Sequence, residues 1–327
     1  HHPVCLALAG KGCNNHLHPG VSLHLSPPPM NSTTERNIGA LPECGTRGEK
    51  FSESSFMNLG FSPEDDKKQV DATGLYAIPG LIDMHLHAPQ FAFRGLGMDM
   101  ELLDWLNTYT FPEEAKYKDI EYAKKAYKKF VDALTKSYST RAIVFATLHT
   151  QATILLMDML EESGLKCFVG KVNMDRNSTD ELIETTESSI DSTNKWLEVC
   201  ESRYQNTKPV ITPRFIPSCS DKLMKELGKI RGENYGLQSH LSENPKEIEW
   251  VKELCPDATG YLDAYDKRSS LNKSKVPTVM AHCVYSDEKE MELLKERDVY
   301  VAHCPQSNIC LSSGIAPIRK FLNSGIK

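Results

Sequence analysis

The stretch PGLIDMHLHAPQ, residues 79–90, decides how this chain is read. Asp83, His85 and His87 alternate with Ile82, Met84 and Leu86. Alternate residues of a β-strand share a face, which sets His85 and His87 side by side, about 7 Å apart along the strand. Two imidazoles so placed suit one shared metal ion. The competing reading is a pair of hydrogen-bonded histidines at a strand end.

Outward from this strand, similar short runs recur. They are AIPGLIDMHLHA (77–88), RAIVFATLHT (141–150), KCFVGKVNM (166–174), KPVITPRF (208–215), GLQSHLSE (236–243), PTVMAHCV (277–284) and VYVAHCP (299–305). Each is β-branched or apolar and bounded by Gly, Pro or polar residues. Helix-like stretches separate them. In 113–136, Ile120, Ala123, Tyr127, Val131 and Leu134 recur at spacings of three and four; in 179–202, Leu182, Thr186, Ile190, Trp196 and Cys200 form a looser stripe. Ser220 and Ser286 fit as N-caps for helices over 221–235 and 287–297.

Strand–helix alternation of this kind predicts a parallel sheet with helical crossovers. Seven strands are countable, and an eighth is expected to begin at Gly325-Ile326-Lys327; eight close a barrel. A doubly wound open sheet would call for a glycine fingerprint after the first strand, and the sequence has none. The expected fold is α/β, a (β/α)₈ TIM-type barrel cut at the start of strand 8.

Composition narrows the rest. Net charge is −6, from 38 basic and 44 acidic residues with no basic stripe, which argues against nucleic acid as a partner. No apolar run approaches the ~18 residues of a membrane helix, so no membrane partner is expected. Ten scattered cysteines without a CxxC pair read as reduced thiols of a cytoplasmic protein. Residues 1–47 are rich in Gly, Pro, Ser and Asn, and are expected to be disordered; His1, His2, His16, His18 and His24 fall there without a visible scaffold. Residues 48–76 are read as a remnant of an N-terminal β region and linker, and 77–327 as the incomplete barrel.

Three later strands also end in histidine: His240 the fifth, His282 the sixth, His303 the seventh. In a barrel all strand C-termini meet at one mouth. With no thiol at the inward-facing strand positions, imidazoles plus carboxylate suit Zn²⁺ or Fe²⁺. His149 ends the second strand too, so not every rim histidine is a ligand. Glu243, three residues past His240, is either an acid at a helix start or a proton shuttle beside a metal-activated water. Arg214, Phe215 and Gln90 form a guanidinium, a ring and a carboxamide at the mouth that suit a planar heterocycle, with a plain ion pair as the other reading of Arg214.

PGLIDMHLHAPQ resembles the opening motif of the metal-dependent amidohydrolase superfamily. FRGLGMDMELLDWLNTYTFPEE, TPRF, QSHLSEN and AHCPQSN resemble the branch of it that deaminates guanine, over about residues 48–327. The resemblance implies one Zn²⁺ held by His85, His87 and His240, with Fe²⁺ the lesser choice. It implies Glu243 as proton shuttle and His282 as the group orienting the attacking hydroxide. His87, Gln90, Arg214, Phe215, His240 and Glu243 would contact a small purine, guanine, and His303 would shape the seventh loop. The full-length protein would be a homodimer.

The same resemblance asks for an aspartate ending the eighth strand, in a GxGTD-type motif, and Lys327 falls a few residues short of it. The expectation is therefore a fragment: unpaired edges on the first and seventh strands and no useful turnover from residues 1–327 as they stand. Another amidohydrolase reaction and a non-catalytic scaffold are the alternatives.

Overall fold

The computed structural model describes residues 80–327 except 270, 272 and 273, together with four short strands before residue 80. The chain divides into two compact units, 1–82 with 132–141, and 83–131 with 142–327.

In the first unit, β1 (Leu6–Ala9) pairs antiparallel with β4 (Tyr76–Pro79), and β2 (Leu23–His24) pairs in parallel with β3 (Val70–Asp71). The rest of 1–47, expected to be disordered, lies outside the described residues. So does most of 48–76. The single run expected over 77–88 is broken at Gly80, between β4 and β5 (Leu81–His87). A Cβ at Gly80 would meet Thr140 Oγ1 at 2.0 Å, so only glycine lets the backbone pass there.

The principal sheet continues with β6 (Ser139–Phe145), β7 (Lys166–Gly170), β8 (Val172–Asn173), β9 (Thr207–Pro213), β10 (Gly236–Leu241), β11 (Thr278–His282) and β12 (Tyr300–Ala302). Its order is β5-β6-β7-β9-β10-β11-β12, with the short β8 beside β9. The pairs β7–β9, β8–β9, β9–β10, β10–β11 and β11–β12 are parallel. A doubly wound sheet reverses direction part-way. This order never reverses, which is the signature of a barrel wall.

The wall is unsealed: β5 and β12 are its two ends. The exposed Leu81 and Ile82 mark the β5 end. At the other, Gly325 closes a helix in the left-handed conformation, Ile326 is buried, and the Val301 amide donates to the Lys327 carbonyl at 2.8 Å. One hydrogen bond stands where an eighth strand was expected.

Helices follow the strands: α1 (Ile120–Thr135), α2 (Thr150–Ser163), α3 (Thr186–Arg203), α4 (Asp221–Arg231), α5 (Pro245–Leu254), α6 (Tyr261–Ser269), α7 (Glu288–Glu296), α8 (Pro305–Cys310) and α9 (Ile318–Ser324). In α1, Ala123, Tyr127, Val131 and Leu134 are buried as the spacing predicts, but Ile120 is exposed. Of the stripe expected over 179–202, Leu182, Trp196 and Cys200 are buried, whereas Thr186 and Ile190 are half-buried and Ser189 and Thr193 go inside α3 in their place. The two hydroxyls are inside because each accepts from Asn173 Nδ2, at 2.9 and 2.8 Å. Buried polar groups go where partners wait.

Ser220 caps α4, its hydroxyl accepting from the Leu223 amide at 3.1 Å. Ser286 does not cap α7. The cap is Asp287, whose carboxylate accepts from the Glu290 amide at 2.8 Å. Both residues are good caps, and the helix starts one position later than expected.

Candidate functional site

Four histidines meet at the strand ends. His85 and His87 come from β5, His240 from β10, and His282 from the end of β11. Their register explains the meeting: His240 lies level with Ala281 and Leu241 with His282, so successive strands deliver imidazoles at nearly one height. The ring centroids of His85 lie 4.9 Å from His87, 4.9 Å from His240 and 5.2 Å from His282. Phe145, fully buried at the end of β6, floors the group and stacks on His87 at 4.4 Å and 17°.

Donor atoms of His85, His87 and His240 all fall within 4.8 Å of one another. His87 Nε2 and His240 Nε2 are 3.0 Å apart, a few tenths of an ångström closer than two nitrogens that each reach one tetrahedral ion at ~2.0–2.1 Å. The Arg214 carbonyl accepts from His240 Nδ1 at 2.7 Å, which leaves the Nε2 lone pair facing the group. His87 Nδ1 is buried without a partner. Burial first, and neighbouring cationic character second, hold the pKa values of His85, His87 and His240 well below that of free histidine. Neutral imidazoles are the form that binds metal, so the residues present fit a divalent ion.

Strain gathers at the same rim. Ser242, His282 and Cys283 have φ of 47°, 74° and 49°, the left-handed region costly for residues with a Cβ. What keeps His282 in place is Asn308 at the start of α8, whose Oδ1 accepts from Nδ1 at 2.7 Å. Its Nε2 then lies 3.4 Å from Glu243 Oε2.

Glu243 was open to reading as a helix-start acid. The structure gives that work to Glu247. Asn244 caps α5 in a capping box with Glu247, whose carboxylate accepts from the Glu243 and Asn244 amides at 3.1 and 3.3 Å. Glu243 is left buried and facing His282, and burial pushes its pKa up to about 8, with Ser313 drawing it the other way.

The residues expected to read a heterocycle fare differently. The Arg214 guanidinium makes a bidentate pair with Glu114, at 2.5 and 3.1 Å, with both side chains buried. It also lies 5.1 Å over the Phe111 ring. The ion pair offered as the other reading of Arg214 is thus present. Phe215 is buried with its ring edge-on to Trp250 at 6.3 Å. Gln90 is half-buried in the turn after β5. His303 is exposed and takes no part in either candidate metal group among the described residues. His149 caps α2 by position, its amide donating to Thr147 Oγ1 at 3.0 Å.

Read from sequence, the inward-facing strand positions carry no thiol, and those past the strand ends were not weighed; Cys304 Sγ lies within 4.8 Å of donor atoms of His85 and His282. It follows β12 rather than lying on it, so strand alternation could not place it. Phe145, Glu114 and Asn308 were missed as well; of these Glu114, closing FRGLGMDMELLDWLNTYTFPEE, and Asn308, closing AHCPQSN, lie in stretches singled out from the sequence.

The amidohydrolase family model matches residues 76–327. Guanine deaminase of Dictyostelium discoideum is 42% identical over 265 residues, 80% of this chain and 58% of that one. Human guanine deaminase is 42% identical over 255 residues, 77% and 56% of the two chains. The chain thus spans less than three-fifths of either relative. Among solved structures, guanine deaminase from C. acetobutylicum with guanine bound in its active site superposes with a TM-score of 0.79 at 42% identity, covering 86% of this chain and 65% of that one. A zinc complex of atrazine chlorohydrolase from Arthrobacter aurescens (TM-score 0.69, 17% identity, 81% and 62% covered) shares the fold.

Proposed function

The chain belongs to the amidohydrolase family, and from that premise we propose that it serves hydrolytic deamination of guanine to xanthine and ammonia, with one zinc ion held by His85, His87 and His240. The observation that carries the proposal is the convergence of those three neutral imidazoles on a common point.

A bound divalent ion would supply Lewis-acid activation of water. The rest is work for side chains. Glu243, held protonated near neutrality by burial, has a proton on its carboxyl to give to the purine ring nitrogen next to the carbon that bears the amino group. Once it has lost that proton, the carboxylate can take one from the water and pass it to the leaving ammonia. His282, its Nδ1–H fixed by Asn308, turns Nε2 toward Glu243 and the attacking water. Arg214 acts at one remove: its carbonyl orients His240, and its guanidinium holds Glu114. Gln90 and Phe215 bound the purine. A homodimer and a cytoplasmic setting belong to the same proposal; among the described residues no helix is long and apolar enough to cross a membrane, and no cysteine is in a disulfide.

Binding is the readout that asks only for residues in hand. Zinc-loaded protein titrated calorimetrically with guanine and with adenine is expected to bind guanine at least ~10-fold more tightly, a difference of ~1.4 kcal/mol. Zinc retained with equal binding of both purines, or with neither bound, overturns the proposal.

A further inference from the structure

His85 belongs to two triangles of donor atoms. One is the three-imidazole group; the other joins it to His282 and Cys304, again with all atoms within 4.8 Å. Donors on a tetrahedral ion at ~2.0–2.3 Å lie roughly 3.3–3.7 Å apart, so small torsions of the side chains close this second triangle. His282 has one ring nitrogen to offer, because Asn308 occupies the other. Cys304 is half-buried, and its thiol makes only weak hydrogen bonds to backbone, one of them to the Ala302 carbonyl at 3.4 Å. The left-handed backbone at His282 and Cys283 turns the chain at this point of the rim.

We propose that His85, His282 and Cys304 form a second cation position, selective for thiophilic divalent ions, which competes with the three-imidazole position for His85. Two imidazoles and a thiolate make a borderline-soft donor set, whereas three imidazoles with carboxylate or water do not discriminate in that direction. Binding is a simple exchange: the Cys304 S–H bond breaks, its proton leaves to solvent, and a sulfur–metal bond forms with no change of oxidation state. Burial first, and the Glu243 and Asp83 carboxylates second, hold this thiol's pKa up at about 12, so the thiolate exists only while the cation is present. The inference is independent of the proposed substrate and shares His85 and His282 with the site above.

The test titrates metal-free protein with Co²⁺ and Cd²⁺ and reads two signals: visible cobalt d–d bands for any ordered site, and a near-ultraviolet charge-transfer band for a thiolate ligand. The thiolate band is expected in the unmutated protein with Cd²⁺ and in His87→Asn. It is expected to vanish in Cys304→Ser, with Cd²⁺ held at least ~10-fold more weakly, the lower end of what even outer partners of a metal site are worth. Bound Cd²⁺ is also expected to protect Cys304 from alkylation, read by peptide mass spectrometry without any mutation. Cobalt d–d bands with no thiolate band overturn this inference and leave the three-imidazole reading standing. Neither signal overturns both. A thiolate band that survives in Cys304→Ser, or alkylation unaffected by Cd²⁺, overturns this inference alone.

Discussion

Two parts of the strand-end rim both carry polar side chains away from solvent, yet are built on opposite rules. Past β8 and β9, Asp175 and Arg214 are both answered. Asp175 accepts from the Ser220 amide, the Ser220 hydroxyl and the Thr186 hydroxyl at 2.6, 2.5 and 2.7 Å, and Arg214 is matched fork-to-fork with Glu114. At the ends of β5, β10 and β11, four imidazoles and Glu243 crowd together with donor atoms aimed at one another. Satisfied buried groups hold a structure, and unsatisfied convergent ones cost stability unless something arrives to meet them. The contrast separates scaffold from site with no appeal to relatives.

The sharpest way to break this contrast is at its scaffold side. Glu114→Ala strands the Arg214 guanidinium in the interior, and losing one partner of a buried pair costs ~3–5 kcal/mol. Urea denaturation of metal-free protein is expected to show that loss. A change under ~1 kcal/mol would mean that the pair is no scaffold. On the site side the expectation inverts. His87→Asn is expected to cost metal-free stability at most ~1.5 kcal/mol, the worth of the one hydrogen bond to His240, since His87 Nδ1 has no partner to lose, while zinc affinity by competitive chelation falls by at least ~100-fold, about 2.7 kcal/mol. Equal losses in both assays would erase the distinction.

The gentlest probe is pH. Burial raises Glu247 from its ordinary 4.5 to about 7. Between those values the folded protein keeps a proton that the unfolded chain gives up. Glu247 therefore contributes fully below pH 4.5, and its contribution fades as pH rises through about 7. The imidazoles run the other way, because their lowered pKa values favour the fold above pH 6.5 and oppose it as pH falls. Subtracting the Glu247→Gln curve from that of the parent isolates the carboxyl. Urea midpoints are expected to give a difference that declines with pH, by at most ~1.4 kcal/mol per unit. A flat or rising difference would place Glu247 among the ordinary surface acids.

Much of this was legible beforehand, because period-two and period-three-or-four patterns are local. Val, Ile and Leu at strand positions, and His85 with His87 on one face, follow from backbone geometry. Ser220 as a cap is local too. What the sequence hid depends on distance: Glu114 meets Arg214 across 100 residues, and nothing near either one marks the other. Cys304 and Asn308 lie past a strand end, where alternation no longer sets direction. Ser286 and Asp287 are adjacent good caps, and which one wins turns on a single residue of helix register. Gly80 looked like an interior residue of one strand because its reason, the Thr140 side chain, lies 60 positions away.

The hydrogen-bond-length approach of His87 to His240 bridges 153 residues, and that gap has a consequence in time. A ribosome adding ~5–20 residues per second takes roughly 8–30 s to travel it, and His282 and Cys304 emerge later still. Throughout that interval β5 stands with two bare imidazoles and no counterpart. Ion capture therefore belongs to the last act of assembly and cannot serve as a seed for it, and a stalled nascent chain carries a histidine pair open to whatever metal is nearest.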